Sequence, residues 1–306
     1  MTSILDIGCR YGIFPLFKHC YKEFEYLGVD ADYDEIKRLK KKYRKFKNIK
    51  FFNNFLSNEN KTISFNIHAH HGYSTTKKIN SDSIWFGKIR NKEKKILKKR
   101  KLLSYKSSEW IENNINDNII LKLDIEGSEL DFLKGLNKDN FNKIEAIITE
   151  AHFDQPYLTD TNFGSLYTFL QKEGYWLVNI DIDFQKISLY SDFTDRIPIC
   201  STSIFLKKNY NPSKLILSNP EIICETLYIL NLTALLIEFC KKIGFKKLKK
   251  FKIFNQLKFK IGNRFNVLKK EIHLSHKVLN KEFVKMFGEE LPDKSDFFES
   301  DFYNPY

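Results

Sequence analysis

With 306 residues and 42% hydrophobic content, the chain has an ordinary globular composition and can bury a sizeable core, as one large domain or as a domain with an appendage. Five scattered cysteines, Cys9, Cys20, Cys200, Cys224 and Cys240, are odd in number and lack paired metal spacing, which excludes a disulfide framework and points to reduced thiols in a cytoplasmic protein. Lysine and arginine exceed aspartate and glutamate by 51 to 38, a net charge of +13, so nucleic acid, anionic lipid and charged glycan all stand as candidate partners.

The N-terminus carries no basic and apolar leader pattern and enters a strand almost at once, Ser3-Ile-Leu-Asp-Ile-Gly8. A glycine turn to Gly12 follows, then a helix-like run over 13–20. The pattern D-x-G-x-x-x-G lacks the three glycines that let a pyrophosphate approach a helix N-terminus, so a ligand without phosphates fits better. The next strand ends in Asp30, about twenty residues past the turn, where a carboxylate accepts the ribose hydroxyls of a nucleoside. Asp32 and Asp34 precede an amphipathic helix over 35–43 and read as caps. A third strand from Ile49 ends near Asn54, where an adenine edge would be read.

Residues 62–69 alternate as a half-exposed strand and lead to His70 and His71. With His68 they invite a metal, but no further ligand of known spacing accompanies them, and surface or loop histidines fit better. The basic run over 88–106 reads as a solvated helix or mobile insertion that could gate a cleft, and Ser107 as the cap of a short helix. Asn118-Ile-Ile-Leu-Lys-Leu then forms a buried strand running into Asp124, Glu126 and Glu129 around Gly127, with helical spacing to Gly135. Asp124 falls at the carboxyl edge of that strand, where open α/β sheets bind ligands. Glu129 fits helix-start electrostatics.

A further strand over 144–152 ends in Glu150 and His152, which lie two apart and so share a face. His152 has the chemistry of a general base, and a plain hydrogen-bonded histidine explains it equally well. A helix over 166–173 and strands from Tyr175 and Ser201 complete seven main strands, most of them separated by helices, which argues for a mostly parallel sheet covered on both faces. Beyond Asn211-Pro-Ser the character changes. Residues 222–240 are apolar but interrupted by Glu225, Asn231 and Glu238, and read as buried helix rather than a membrane span. Over 241–270 there is no acid, and Leu248, Phe251, Phe254, Leu257 and Ile261 recur at three and four, giving a basic amphipathic helix that packs on the protein or docks on a membrane surface or nucleic acid. An acidic, aromatic tail over 293–306 closes the chain.

Three blocks resemble one family, the FkbM-type S-adenosylmethionine-dependent methyltransferases. They are Leu5-Asp-Ile-Gly-Cys-Arg-Tyr-Gly12, Leu27-Gly-Val-Asp-Ala-Asp32, and Lys122-Leu-Asp-Ile-Glu-Gly-Ser-Glu129 continuing to Gly135, the last similar to the family's K-x-D-x-E-G-x-E signature. The likeness covers roughly the first 210 residues, and it departs at Cys9-Arg10, where Ala-Asn is common, and at Ala31, where proline is usual. It implies a Rossmann-like class I fold over 1–210, with 211–306 as a helical basic extension. It also implies S-adenosylmethionine as cofactor, held by Asp6, Gly8, Cys9, Gly12, Asp30, Ala31, Asn54 and Asp124. Catalysis would fall to Asp124, Glu126, Glu150 or His152, acting on a hydroxyl of a sugar, glycan or small metabolite. No metal is expected, although Asp124 and Glu126 are of a type that suits magnesium. Methylation of RNA or DNA through the basic segments is the runner-up, and a nucleotide- or membrane-binding adaptor without activity is the third reading.

Overall fold

A computed structural model describes residues 2–87, 91–186, 196–208, 219–271 and 276–291. The tail over 293–306, the boundary at Asn211-Pro-Ser and residues 88–90 of the basic run lie outside the described residues. The chain forms two compact units, Met1–Phe14 with Lys22–Lys208, and Pro15–Tyr21 with Asn209–Tyr306.

The first unit starts with β1 (Thr2–Ile7), β2 (Glu25–Asp30), helix α1 (Tyr33–Lys42), β3 (Ile49–Asn53), β4 (Phe55–Ser57) and β5 (Lys61–His68). Short helices α2 (Ile84–Gly87) and α3 (Asn91–Lys94) lead to β6 (Ile96–Lys106), α4 (Ser107–Asn114), β7 (Asn118–Leu123), α5 (Glu129–Lys134) and α6 (Lys138–Lys143). Then come β8 (Ile144–His152), α7 (Phe163–Lys172), β9 (Tyr175–Lys186) and β10 (Arg196–Lys207). Seven strands form one sheet in the order β3-β2-β1-β7-β8-β10-β9. Pairing is parallel from β3 to β8, and β10 runs antiparallel to β8 and β9. This is the doubly wound, Rossmann-like arrangement, and the strand order reverses between β1 and β7.

β1 is buried along its whole length, so the sheet is covered on both faces. Ile111 of α4, Leu133 of α5 and Leu166 of α7 join Leu5, Leu121 and Ile147 of the sheet in one core. Each such side chain contributes about 1.5–3 kcal/mol by leaving water. Asp32 caps α1, accepting from the backbone of Asp34 and Glu35. The consequence for the site is that β1, β2, β7 and β8 deliver their carboxyl ends to one edge.

Several expectations are corrected. Residues 13–20 do not form a helix. Only Pro15–Phe17 makes a 3-10 turn, because the proline ring disfavours helical backbone at the residue before it. The basic run is mostly β6 rather than a helix or a mobile insertion, and it pairs with β5 and β4 in a second, three-stranded sheet. Alternation explains this: Leu102 faces Ile63 and Ser104 is fully buried, whereas Lys98, Lys99 and Lys101 stay exposed. Ser107 does not cap α4. Its hydroxyl donates to the carbonyl of Ser57 instead, at 2.8 Å.

The second unit holds α8 (Pro220–Ile229), α9 (Thr233–Ile243), α10 (Phe245–Leu248), α11 (Phe254–Glu271) and α12 (His276–Phe287). The apolar run over 222–240 is broken in two at Asn231, whose φ of 56° is left-handed. No described helix is long and apolar enough to cross a membrane. The basic helix expected over 241–270 is likewise interrupted between Leu248 and Phe254, while Leu248, Leu257 and Ile261 are fully buried. The segment Pro15–Tyr21 is held in this unit by His19, whose ring lies 3.1 Å from the Tyr228 carbonyl and 3.2 Å from Lys260 Nζ.

Candidate active site

The site is built where β1 and β7 end side by side. Gly8 N donates to the Val29 carbonyl at 2.8 Å and Asp124 N to the Ile7 carbonyl at 3.2 Å. Gly8 has φ +82°, and a Cβ there would stand 1.9 Å from the Asp124 carbonyl oxygen. Only glycine permits that approach. Beneath the turn, the Lys122 ammonium sits 3.1 Å from Asp6 and 3.3 Å from Asp124. Burial disfavours the ammonium, but Asp124 and Asp6 outweigh it and raise its pKa. Asp6 is fully buried, and its other oxygen accepts from Tyr26 at 2.5 Å.

A cleft opens above this edge. Gly8, Asp30, Ala31, Asn54, Asp124 and Glu126 line it, together with Arg10, Tyr11, Phe55, Phe65, His71 and Ser74. Asp30 accepts from the backbone of Asp32 at 2.7 Å, and burial raises its pKa to about 6. Arg10 reaches across the rim, donating to Asp32 at 2.6 Å, with His71 Nδ1 at 3.2 Å. A carboxylate at the end of β2, able to accept from ribose hydroxyls, beside a glycine cradle is the arrangement a nucleoside needs.

Next to the cleft the acids converge. Carboxylate oxygens of Asp124, Glu126 and Glu150 lie within 4.8 Å of one another. Burial, then the charge of Asp124, pushes Glu126 and Glu150 well above the usual carboxylate range. Glu126 holds a left-handed backbone, φ 54°, rare for a residue with a Cβ. It is pinned on both sides, by Tyr157, whose hydroxyl donates to its carboxylate, and by Thr75, whose hydroxyl donates to its carbonyl at 2.7 Å.

The sequence matches the family described as Methyltransferase FkbM domain over residues 6–177, more than half the chain. The chain belongs to the FkbM methyltransferase family. It is a methyltransferase, and membership implies S-adenosylmethionine as the cofactor. Solved structures are similar to the chain only at low identity and low TM-score. TehB from Haemophilus influenzae is 12% identical, with 67% of this chain and 57% of that one covered at a TM-score of 0.35. A SAM-dependent methyltransferase from Anabaena variabilis is 10% identical, with 67% and 77% covered at a TM-score of 0.32. No curated protein matches the chain.

The residues singled out in this FkbM methyltransferase fall into three groups. Gly8, Asp30, Ala31, Asn54, Asp124 and Glu126 line the cleft. Asp6, Cys9 and Gly12 do not: Asp6 and Cys9 are buried beneath it, and Gly12, at φ +101°, packs against Tyr43 and Leu39. These three shape the loop instead of lining the cleft. Asn54 also commits its side-chain oxygen to Trp110 Nε1 at 3.2 Å. Glu150 and His152 stand behind the cleft, with the His152 ring against Trp85 and Tyr157. Burial drops the His152 pKa to about 4, which makes it a weak base. Glu129 is a buried structural acid, its carboxylate accepting from Ile125 N at 2.8 Å. His68, His70 and His71 join no metal-capable group among the described residues. Sequence reasoning missed Tyr157, Thr75 and the Arg10–His71 rim, since each meets the signature only through the fold; Arg10 alone carried a signal, as a departure from the family pattern.

Proposed function

We propose that this methyltransferase modifies a hydroxyl oxygen on a sugar, glycan or small metabolite. When bound, S-adenosylmethionine supplies an electrophilic methyl group. Asp30 accepts from the ribose hydroxyls, and the Gly8 turn gives the methionine end room to lie against backbone. Asp124 stays next to the reacting centre, its charge balanced from below by Lys122.

The single observation that carries the reading is the half-buried carboxylate of Glu126 at the cleft wall, held in a strained backbone by Tyr157 and Thr75. An alcohol must lose its proton as it attacks, and a carboxylate with a raised pKa is a stronger base than a free one. A positively charged ligand beside Glu126 lowers its pKa and readies its carboxylate to take that proton. His152 is too weak a base for the task. Five buried, free cysteines support a reducing compartment such as the cytoplasm.

Thermal unfolding with S-adenosylhomocysteine, followed by transfer of a labelled methyl to a panel of hydroxyl acceptors, tests the proposal. Stabilisation by the ligand and label in an ether are expected. Label confined to nucleic acid would favour the second reading, which the exposed cations Lys98, Lys99 and Lys101 of β6 and Lys41, Lys42, Arg44 and Lys45 around the end of α1 motivate. In that case affinity for RNA or DNA falls steeply with log salt.

A further inference from the structure

Behind the cleft, three side chains of different chemistry converge. A carboxylate oxygen of Glu150, a ring nitrogen of His152 and the sulfur of Cys200 lie within 4.8 Å of one another. The sheet register brings this about. Glu150 and His152 are two apart on β8 and share a face, and Cys200 on β10 is the residue directly opposite His152. A β-bulge at Ile199 immediately precedes Cys200, and bulges re-aim side chains next to functional sites. On the far side of Cys200, Asp183 of β9 continues the same row and accepts from the thiol at 3.5 Å.

His152 is 8% exposed and Cys200 2%. Among the described residues the His152 ring makes no hydrogen bond, only edge contacts with Trp85 and Tyr157. Neither ring nitrogen is committed to another group among the described residues, which leaves one available between the carboxylate and the thiol.

We propose that Glu150, His152 and Cys200 form a binding site for a borderline divalent cation of the zinc type. The donor set selects it. Imidazole plus thiol argues against magnesium and calcium, which take oxygen, and matches zinc and its cobalt surrogate. Bonds of about 2.0–2.3 Å hold tetrahedral ligands roughly 3.5 Å apart, so side-chain rotation on the order of an ångström closes the three donors around the ion. The Cys200 proton leaves to solvent as the sulfur binds, and Asp183, which holds the thiol, orients it. Three protein donors leave a fourth position for an oxygen ligand.

Cobalt(II) alone is the probe, added to the full chain without cofactor or acceptor, so the outcome is independent of the methylation chemistry proposed above. One equivalent is expected to bind with a thiolate-to-cobalt charge-transfer band that zinc abolishes on displacement. Cys200→Ser is expected to remove that band, and His152→Gln to weaken affinity at least tenfold, with circular dichroism reporting that each variant is folded. Zinc is also expected to protect Cys200 from alkylation in the wild-type chain, read by mass spectrometry, which requires no variant to fold. Absence of a thiolate band in the wild type, alkylation of Cys200 at the same rate with and without zinc, or an unchanged band in folded Cys200→Ser would each overturn the proposal.

Discussion

Replacing Lys122 with methionine isolates the electrostatic arrangement beneath the cleft. Lys122 is 4% exposed and Asp6 fully buried. Their ion pair spans 3.1 Å without an aligned hydrogen bond, since that oxygen of Asp6 has no hydrogen-bond partner among the described residues. Coulomb attraction to Lys122, with the Tyr26 hydrogen bond to the other oxygen, is therefore what compensates its charge. At an effective dielectric of about 20, one such contact is worth about 5 kcal/mol, and breaking a buried pair from one side costs about 3–5 kcal/mol. Methionine fills the volume, so the loss reads the uncompensated charge rather than a cavity. Burial already raises the Asp6 pKa, and removing the ammonium raises it further. An acid whose folded pKa lies above its unfolded value of about 3.9 destabilises the fold increasingly as pH climbs between the two. The deficit of Lys122→Met is thus expected to be large at pH 8 and smaller at pH 5.5, and Asp6→Asn added to it is expected to recover most of the loss. Urea denaturation followed by tryptophan fluorescence measures this, because Trp85, Trp110 and Trp176 are the only tryptophans and all belong to the first unit. A loss below about 1 kcal/mol, or one equal at both pH values, would refute the reasoning.

For the ribose contact proposed above, the Asp30 carboxyl, raised to about 6 by burial, must be ionised. Calorimetry with S-adenosylhomocysteine is expected to show affinity falling about tenfold per pH unit below that value, and Asp30→Asn to bind weakly with no such dependence. Tyr157→Phe removes the donor that fixes the Glu126 carboxylate and is expected to lower kcat on the order of a hundredfold while leaving KM for the cofactor unchanged; equal effects on both would point to a binding role instead. Gly8→Ala combines a positive φ with a Cβ 1.9 Å from the Asp124 carbonyl, so a loss of about 1–3 kcal/mol for the backbone and a similar amount for overpacking is expected in the same urea titration.

The parallel half of the sheet was legible because its strands announce themselves. β1, β7 and β8 are apolar runs that end in an acid, and a strand buried on both faces must read that way. Asp30 and Asp124 were placed at the correct edge by strand-end position alone. What failed were segments in which local pattern and tertiary demand disagree. Lysines along 96–106 resembled a solvated helix, yet β5 offered an open ladder, and alternation at Leu102 and Ser104 sufficed to fill it. The helical spacing at Phe251 and Phe254 was real but lay across a break between two helices, a feature that periodicity does not register.

For the site, the sequence identified residues but not depth. Asp6 and Asp30 both end strands and both precede a turn, so they look equivalent on paper. They differ in depth along the sheet: Asp6 pairs with Gly28 and is followed by Ile7 within β1, whereas Asp30, two residues beyond Gly28, is the last residue of β2. Asp6 is thereby enclosed and needs the Lys122 counter-charge, whereas Asp30 opens onto the cleft. The same logic separates Glu126 from Glu129. Three residues apart, they straddle a left-handed turn at Glu126 and Gly127. The turn presents the first to the cleft wall and folds the second back onto the backbone of Ile125. Within a signature of acids around a glycine, one carboxylate therefore reaches the cleft wall and another is tied to the backbone, and the turn between them decides which is which.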